Sequence, residues 1–216
     1  MLIPKNFKKG EIKTIVFDFG NVMLDLDIPH CIGEFVKLGA VAGTMNEEHK
    51  LFIDQERGEY KQAGFLAALR SHAPQNAPEV SDEQLLAAWN SLLHKPIDPR
   101  RIALINQLRA DGYRLVLLSN TNDIHREFFF NKFFEEMGIN LDALFDKTFF
   151  SDLLHCRKPE PQIYKLVNEN ARLVPAQTLF IDDKAENTEG ATKIVGWHTH
   201  TLAVGKETIL DLFEEK

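Results

Sequence analysis

The sequence predicts an α/β fold, a doubly wound parallel sheet carrying an inserted α-helical cap subdomain. Three observations predict it. Short apolar runs recur along the chain and each stops at polar residues. Helical patterns lie between those runs. After the first run, residues 28–97 carry helical patterns and no strand pattern.

The first run, Lys13–Phe17, is apolar and β-branched and ends at Asp18 and Gly20. A continuous apolar run of this length suits a strand covered on both faces. Similar runs follow at Arg114–Leu118, Lys147–Phe150, Thr178–Ile181 and Thr199–Val204. Between them, Pro99–Ala110 places Ile102, Ile105 and Leu108 at helical spacing and stops before Gly112, a C-cap signal. Asn122–Met137 is helical and ends at Gly138; Glu160–Ala171 and Ala185–Ile194 follow the same logic. Strand–helix–strand alternation implies right-handed crossovers.

The insert reads differently. Helical patterns occur at Ile32–Leu38, Glu47–Glu56, Gln62–Arg70 and Ser81–Leu93, broken by the Pro- and Asn-rich stretch Ser71–Pro78. Ser81 and Gln84 form a capping-box pair. A single crossover needs far fewer residues. The expected organisation is a core of residues 11–27 and 98–216, with a helical cap at 28–97.

Composition bounds the function. The chain has 216 residues, 44% hydrophobic and 26% charged, which excludes disorder and coiled coil. Its net charge of −7 argues against nucleic acid or an anionic membrane surface as partner. A small anionic substrate is still allowed, because a pocket can carry a local field of opposite sign. Cys31 and Cys156 are too few for a disulfide framework and lack metal-ligand spacing. They read as reduced thiols. Met1–Glu11 has no apolar segment of a secretory signal, and Thr14–Leu24 contains Asp18 and is too short to span a bilayer. The expectation is a soluble cytoplasmic protein, a monomer or weak homodimer.

In a doubly wound sheet, ligands sit beyond the carboxyl ends of the strands. Asp18 follows the first strand; Ser119, Asn120, Thr121 and Asn122 follow the second. The chain after Phe150 runs to Lys158, and Asp182 and Asp183 end the Thr178–Ile181 run. Carboxylates this close repel unless a cation sits among them, and hard oxygen donors select Mg²⁺. Ser119 and the first amides of the Asn122 helix can hold phosphate oxygens. Lys158 supplies a compact positive charge. A phosphoryl group would then face an Asp carboxylate, which can form an aspartyl phosphate. The chemistry implied is metal-assisted phosphoryl transfer. No GxGxxG follows a strand, so a dinucleotide fold lacks its fingerprint.

Four motifs in this order resemble the haloacid dehalogenase (HAD) superfamily. They are Phe17-Asp18-Phe19-Gly20-Asn21-Val22, Leu118-Ser119-Asn120, Arg157-Lys158-Pro159 and Asp182-Asp183. The insert resembles that family's helical cap. The runs around Ser119, Lys158 and Asp183 look closest to the bacterial α-D-glucose-1-phosphate phosphatase branch. The resemblance implies a Rossmann-like core, with Asp18 as nucleophile and metal ligand and the Gly20 carbonyl as a second ligand. It implies that Ser119 and Asn120 hold the phosphoryl oxygens and that Lys158 neutralises their charge. Asp183 is implied as the direct metal ligand in preference to Asp182.

The expected function is a Mg²⁺-dependent phosphatase acting on a small phosphorylated metabolite, a sugar phosphate among the candidates. One departure stands out: most phosphatases of the family carry an acid/base Asp where this chain has Gly20. Asp25 and Asp27 are near enough in sequence to be weighed as substitutes. Arg57 is a candidate cap residue reaching the substrate, and Asn187 a candidate for orienting the metal carboxylates. The alternatives are a metal-independent dehalogenase and a catalytically weak binding scaffold.

Overall fold

The computed structural model describes residues 1–39, 50–72 and 78–215. Parts of the expected helix Glu47–Glu56 and of the stretch Ser71–Pro78 lie outside the described residues. A short strand β1 (Leu2–Pro4) precedes β2 (Thr14–Phe17), and helices α1 (Ile28–Lys37), α2 (Lys50–Glu56), α3 (Gln62–Ser71) and α4 (Asp82–Asn90) follow. Then come α5 (Pro99–Ala110), β3 (Arg114–Ser119), α6 (Asp123–Met137), β4 (Lys147–Phe150), the one-turn α7 (Ser151–Leu154) and α8 (Pro161–Asn170). The chain closes with β5 (Thr178–Asp182), α9 (Ala185–Val195), β6 (His198–Thr201) and β7 (Phe213–Glu215).

The central sheet has five strands in the order β4-β3-β2-β5-β6. All four pairings are parallel. β2, the first of the five in sequence, lies in the middle, so chain entering and leaving it serves both halves. Phe17 sits opposite both Leu117 and Ile181. That register brings Asp18, Ser119 and Asp182 to one edge. Alternate residues of each strand feed opposite layers. Ile15, Phe17, Leu117 and Ile181 pack with α5 and α6 residues such as Ile105 and Phe133. Val16, Val116 and Phe180 pack with Ile163, Val167 and Trp197 on the other face. This two-sided burial is why the strands read as unbroken apolar runs.

Helices α1–α4 pack round an aromatic cluster of their own, with Phe35, Phe52, Phe65 and Trp89, which Ile124 of α6 joins. Several boundaries differ from expectation by a few residues. The first helix begins at Ile28, because Asp27 caps it through the His30 amide and Pro29 occupies its first turn. The last parallel strand ends at Thr201; residues beyond it turn, with Lys206 N–H donating to Ala203 O and Gly205 at φ +80°. The antiparallel pairing of β1 with β7 was not foreseen. Runs of three residues carry too little periodicity to be read. No helix among the described residues is long and apolar enough to cross a membrane.

Candidate active site

The carboxyl end of β2 carries the centre of the site. Asp18 continues the ladder by donating its amide to Ile181 O, and its side chain stands at the sheet edge. Met23 and Leu24 amides both donate to Phe19 O, closing a tight turn. Asn21 adopts φ +56° in that turn, a left-handed conformation that Asn tolerates better than most residues. The turn aims Asn21 across the sheet. Its Nδ2 donates to Asp183 Oδ2 at 2.8 Å and its Oδ1 accepts from the Leu26 amide at 3.1 Å.

Lys158 is the hub. Its side chain is 2% exposed, and its Nζ donates to Asp18 Oδ1 at 2.6 Å, Asp182 Oδ2 at 2.7 Å and Leu118 O at 2.9 Å. All three ammonium donors are thereby used. Asn120 clamps the backbone of the same lysine. Its Nδ2 donates to Lys158 O at 2.9 Å and its Oδ1 accepts from Lys158 N–H at 2.8 Å. This clamp is a use of Asn120 that motif reading did not anticipate, and it leaves one Nδ2 hydrogen for any ligand. The Lys158-Pro159 peptide is cis.

Asp182 and Asp183 are adjacent but differently placed. Asp182 is wholly buried; its Oδ1 accepts from the Lys184 amide at 2.8 Å and Asn187 Nδ2 at 2.9 Å. Asp183 faces the cavity. The carboxylates of Asp18, Asp182 and Asp183 offer oxygens that lie within 4.8 Å of one another. Such proximity is costly for the charged forms. Burial pushes the Asp18 carboxyl up to about 7; Lys158 opposes this, and Asp182 and Asp183 add to it. Burial likewise raises Asp183, against the Asn21 hydrogen bond. Burial alone would discharge Lys158, but Asp18 and Asp182 outweigh it and hold the ammonium charged. The donor set fits a hard divalent cation, whose charge would relieve the repulsion between carboxylates that one lysine only partly offsets.

A cavity of about 330 Å³ opens from this edge toward the helical insert. Asp18, Gly20, Ser119, Lys158 and Asp183 line one end, and Phe52, Trp89 and Leu92 line the other. Glu56, Asn122 and His125 line its sides. The structure thus brings Asp18, Ser119, Asn120, Lys158, Asp182 and Asp183 together. Asn187 joins them through its bond to Asp182, whereas Asp25, Asp27 and Arg57 lie apart. Asp25 pairs with Arg101 at 2.6 Å. Asp27 caps α1 and lies 3.0 Å from His94 Nε2. Arg57 donates to Glu160 at 2.7 and 2.9 Å, so it serves the seam between insert and core rather than the cavity. Sequence reading missed Asn21 as a support of Asp183. The signal was there, an Asn beside Gly20 in a turn. It also missed Glu56 and His125, whose positions depend on how the insert docks.

Comparisons with known proteins identify the family. A family model described as haloacid dehalogenase-like hydrolase matches residues 12–194. The D-ribitol-5-phosphate phosphatase of Bacteroides thetaiotaomicron is 32% identical over 180 residues, 82% of this chain and 85% of the relative. Among solved structures, a HAD family enzyme from Bacteroides thetaiotaomicron in complex with magnesium and inorganic phosphate superposes with a TM-score of 0.81 at 35% identity, covering 91% of this chain and 96% of that one. A HAD-like family hydrolase from Porphyromonas gingivalis gives 0.83 at 31% identity, covering 94% and 96%. The chain is a member of the haloacid dehalogenase-like hydrolase family.

Proposed function

We propose that this protein is a Mg²⁺-dependent phosphatase that hydrolyses a small phosphorylated metabolite through an aspartyl phosphate on Asp18. The observation that carries the reading is the meeting of Asp18, Asp182 and Asp183 oxygens within 4.8 Å, with Lys158 against two of them, at one end of a cavity. In this reading Asp18 attacks phosphorus and is the nucleophile. Ser119 donates to a phosphoryl oxygen, and Lys158 neutralises the charge shared by nucleophile and phosphate. Asn120 acts mainly by fixing Lys158. Asp18, the Gly20 carbonyl and Asp183 hold the cation, with Asp182 behind them. The cation supplies charge neutralisation to the transferring phosphoryl group. Residues 28–97 act as a cap that shields the site from water and selects the leaving group. The phosphatase activity of the curated relative and the magnesium–phosphate complex of the solved neighbour support the reading. Sugar and polyol phosphates are the first substrates to try.

The dehalogenase reading needs Asp18, Asp182 and Asp183 together with Lys158 as the cation that offsets them and no metal ion, which is costly for three carboxylates this close. The test is turnover of a phosphate-ester panel by the purified protein, with and without Mg²⁺. Turnover should require Mg²⁺ and fall by at least about 10³-fold in Asp18→Asn. Undiminished activity in Asp18→Asn or in excess chelator overturns the mechanism. Silence across the panel favours a scaffold, and metal-independent halide release favours a dehalogenase.

A further inference from the structure

Cleaving an alkyl phosphate leaves an alkoxide unless a proton reaches the leaving oxygen, and a placed acid contributes typically about 10²–10⁴-fold. Gly20 brings no side chain to this end of the cavity. A Cβ on Gly20 would lie 2.8 Å from Leu26 Cδ1, so a side chain there would have to displace that methyl. Other groups in the cavity are spoken for. Lys158 uses its three donors on Asp18, Asp182 and Leu118 O. His125 has Nε2 3.1 Å from Trp89 O and Nδ1 3.2 Å from Asn122 Nδ2. Asp183 is held by Asn21 and, in the proposed reading, by the cation.

Glu56 is left. It is the last residue of α2 and lines the same cavity as Asp18. Arg157 Nε donates to its Oε2 at 2.5 Å, so the residue before Lys158 in the chain holds the carboxyl in place. Oε1 lies outside that bond. Neighbouring contacts fasten this end of α2 to the core: Arg57 pairs with Glu160, and His155 Nδ1 lies 3.1 Å from Arg57 O. A carboxyl from the insert thus stands in the reaction cavity, on the seam that closes it.

Resting on the phosphatase reading above, we propose that Glu56 is the acid and base of the reaction. In the first step Asp18 Oδ bonds to phosphorus, the bond from phosphorus to the leaving oxygen breaks, and the Glu56 carboxyl gives its proton to that oxygen. In the second step the Glu56 carboxylate takes a proton from water as the water oxygen bonds to phosphorus. The bond from phosphorus to Asp18 then breaks, and free phosphate leaves with Asp18 and protonated Glu56 restored. The charged groups facing Glu56 are Arg157, Lys184 and Lys158; burial raises its carboxyl and these cations oppose the rise without cancelling it. A raised carboxyl is protonated over more of the working range, as an acid must be.

The test compares an alkyl phosphate with 4-nitrophenyl phosphate, whose leaving group needs no proton. Glu56→Gln should lower kcat/KM for the alkyl ester by about 10²–10⁴-fold and for the aryl ester by less than about 10-fold. Glu56→Asp should recover part of the loss on the alkyl ester. In the unaltered enzyme the alkaline fall of kcat/KM should be steep for the alkyl ester and shallow for the aryl ester, a measurement that needs no variant. Arg57→Met breaks the neighbouring seam contact and should affect both esters alike. Equal losses on both esters in Glu56→Gln, or matching pH profiles in the unaltered enzyme, overturn the proposal. If turnover persists in Asp18→Asn, the phosphatase reading itself has failed, and the two failures are separable.

Discussion

The two walls of the cavity are held by different forces. At the sheet edge, groups at the ends of adjacent strands hold one another: Asp18 donates its amide to Ile181 O, Asn120 grips both polar backbone atoms of Lys158, and Lys158 Nζ bridges Asp18 and Asp182. The helical insert is held by an aromatic cluster and by a seam of side chains. Phe52 stacks on Trp89 at 5.3 Å, Trp89 on His125 at 4.5 Å, and Arg57 and Arg157 pair with Glu160 and Glu56. The difference teaches that the edge is a closely coupled charged network set by strand register, while the insert hangs on a few side-chain pairs between distant parts of the chain. Three perturbations probe that contrast.

The largest effect should come from the edge itself. Lys158→Met removes the cation between Asp18 and Asp182 and leaves two buried carboxylates facing each other. Breaking a buried pair by removing one partner costs about 3–5 kcal/mol. Chemical denaturation should show that loss, and Mg²⁺ should restore part of it by taking over the vacated role. Activity should fall with it. A stability change under about 1 kcal/mol in the metal-free protein would mean that the edge is less tightly coupled than its hydrogen bonds indicate.

The seam comes second. Gly58 follows α2 with φ +71°, and a Cβ there would lie 2.2 Å from Asp152 O. Both the left-handed backbone and the contact with main chain require glycine. Gly58→Ala should therefore weaken docking of α2 by about 2 kcal/mol or more. That is roughly 30-fold in the ratio of docked to undocked helix. Proteolysis should find the insert more open, and kcat/KM should fall while the core keeps its denaturation midpoint. An unchanged insert with a destabilised core would reverse the assignment of this contact.

The same contrast explains what could be read from the sequence. The three central strands, β2, β3 and β5, are buried on both faces, so each announces itself as an apolar run, and the residue at its end is the functional one. Asp18, Ser119 and Asp182 were legible for that reason. Pro99 to Ala110 and the Ser81–Gln84 capping box were legible because caps are local. The pairing of β1 with β7 joins segments more than 200 residues apart, and no local pattern records it. In the sequence Glu56 is only the end of a helical pattern. Only the docking of α2 against the Arg157 loop brings it to the cavity that Asp18 also lines, and long-range side-chain pairing leaves no periodic trace. Among the phenylalanines, helical spacing explains why Phe129 and Phe133 are buried while Phe134 is 67% exposed.

His125 joins the two regions and gives the smallest expected effect. It begins on α6 of the core, accepts the stacking of Trp89 from the insert, and lies 3.1 Å from Trp89 O through Nε2. Burial lowers its pKa to about 4, with the Trp89 carbonyl opposing. An unfolded histidine titrates near about 6.5. The folded value is thus depressed, so the unfolded chain binds the proton first as pH falls. The stability His125 supports is complete above about 6.5 and is lost progressively down to about 4. At pH 5 the loss amounts to about 2 kcal/mol, since 1.5 units at about 1.4 kcal/mol each are at stake. Denaturation midpoints at pH 7 and pH 5 should therefore differ more in the unaltered protein than in His125→Gln, where this titration is gone. The loss should also appear first in the insert, because the carbonyl and the ring it disturbs both belong to Trp89. Equal pH dependence in the two proteins would mean that His125 is not the source of the acid sensitivity and would leave the insert's anchor insensitive to protons; the sheet-edge carboxyls Asp18 and Asp183, raised in the fold, would act in the opposite direction.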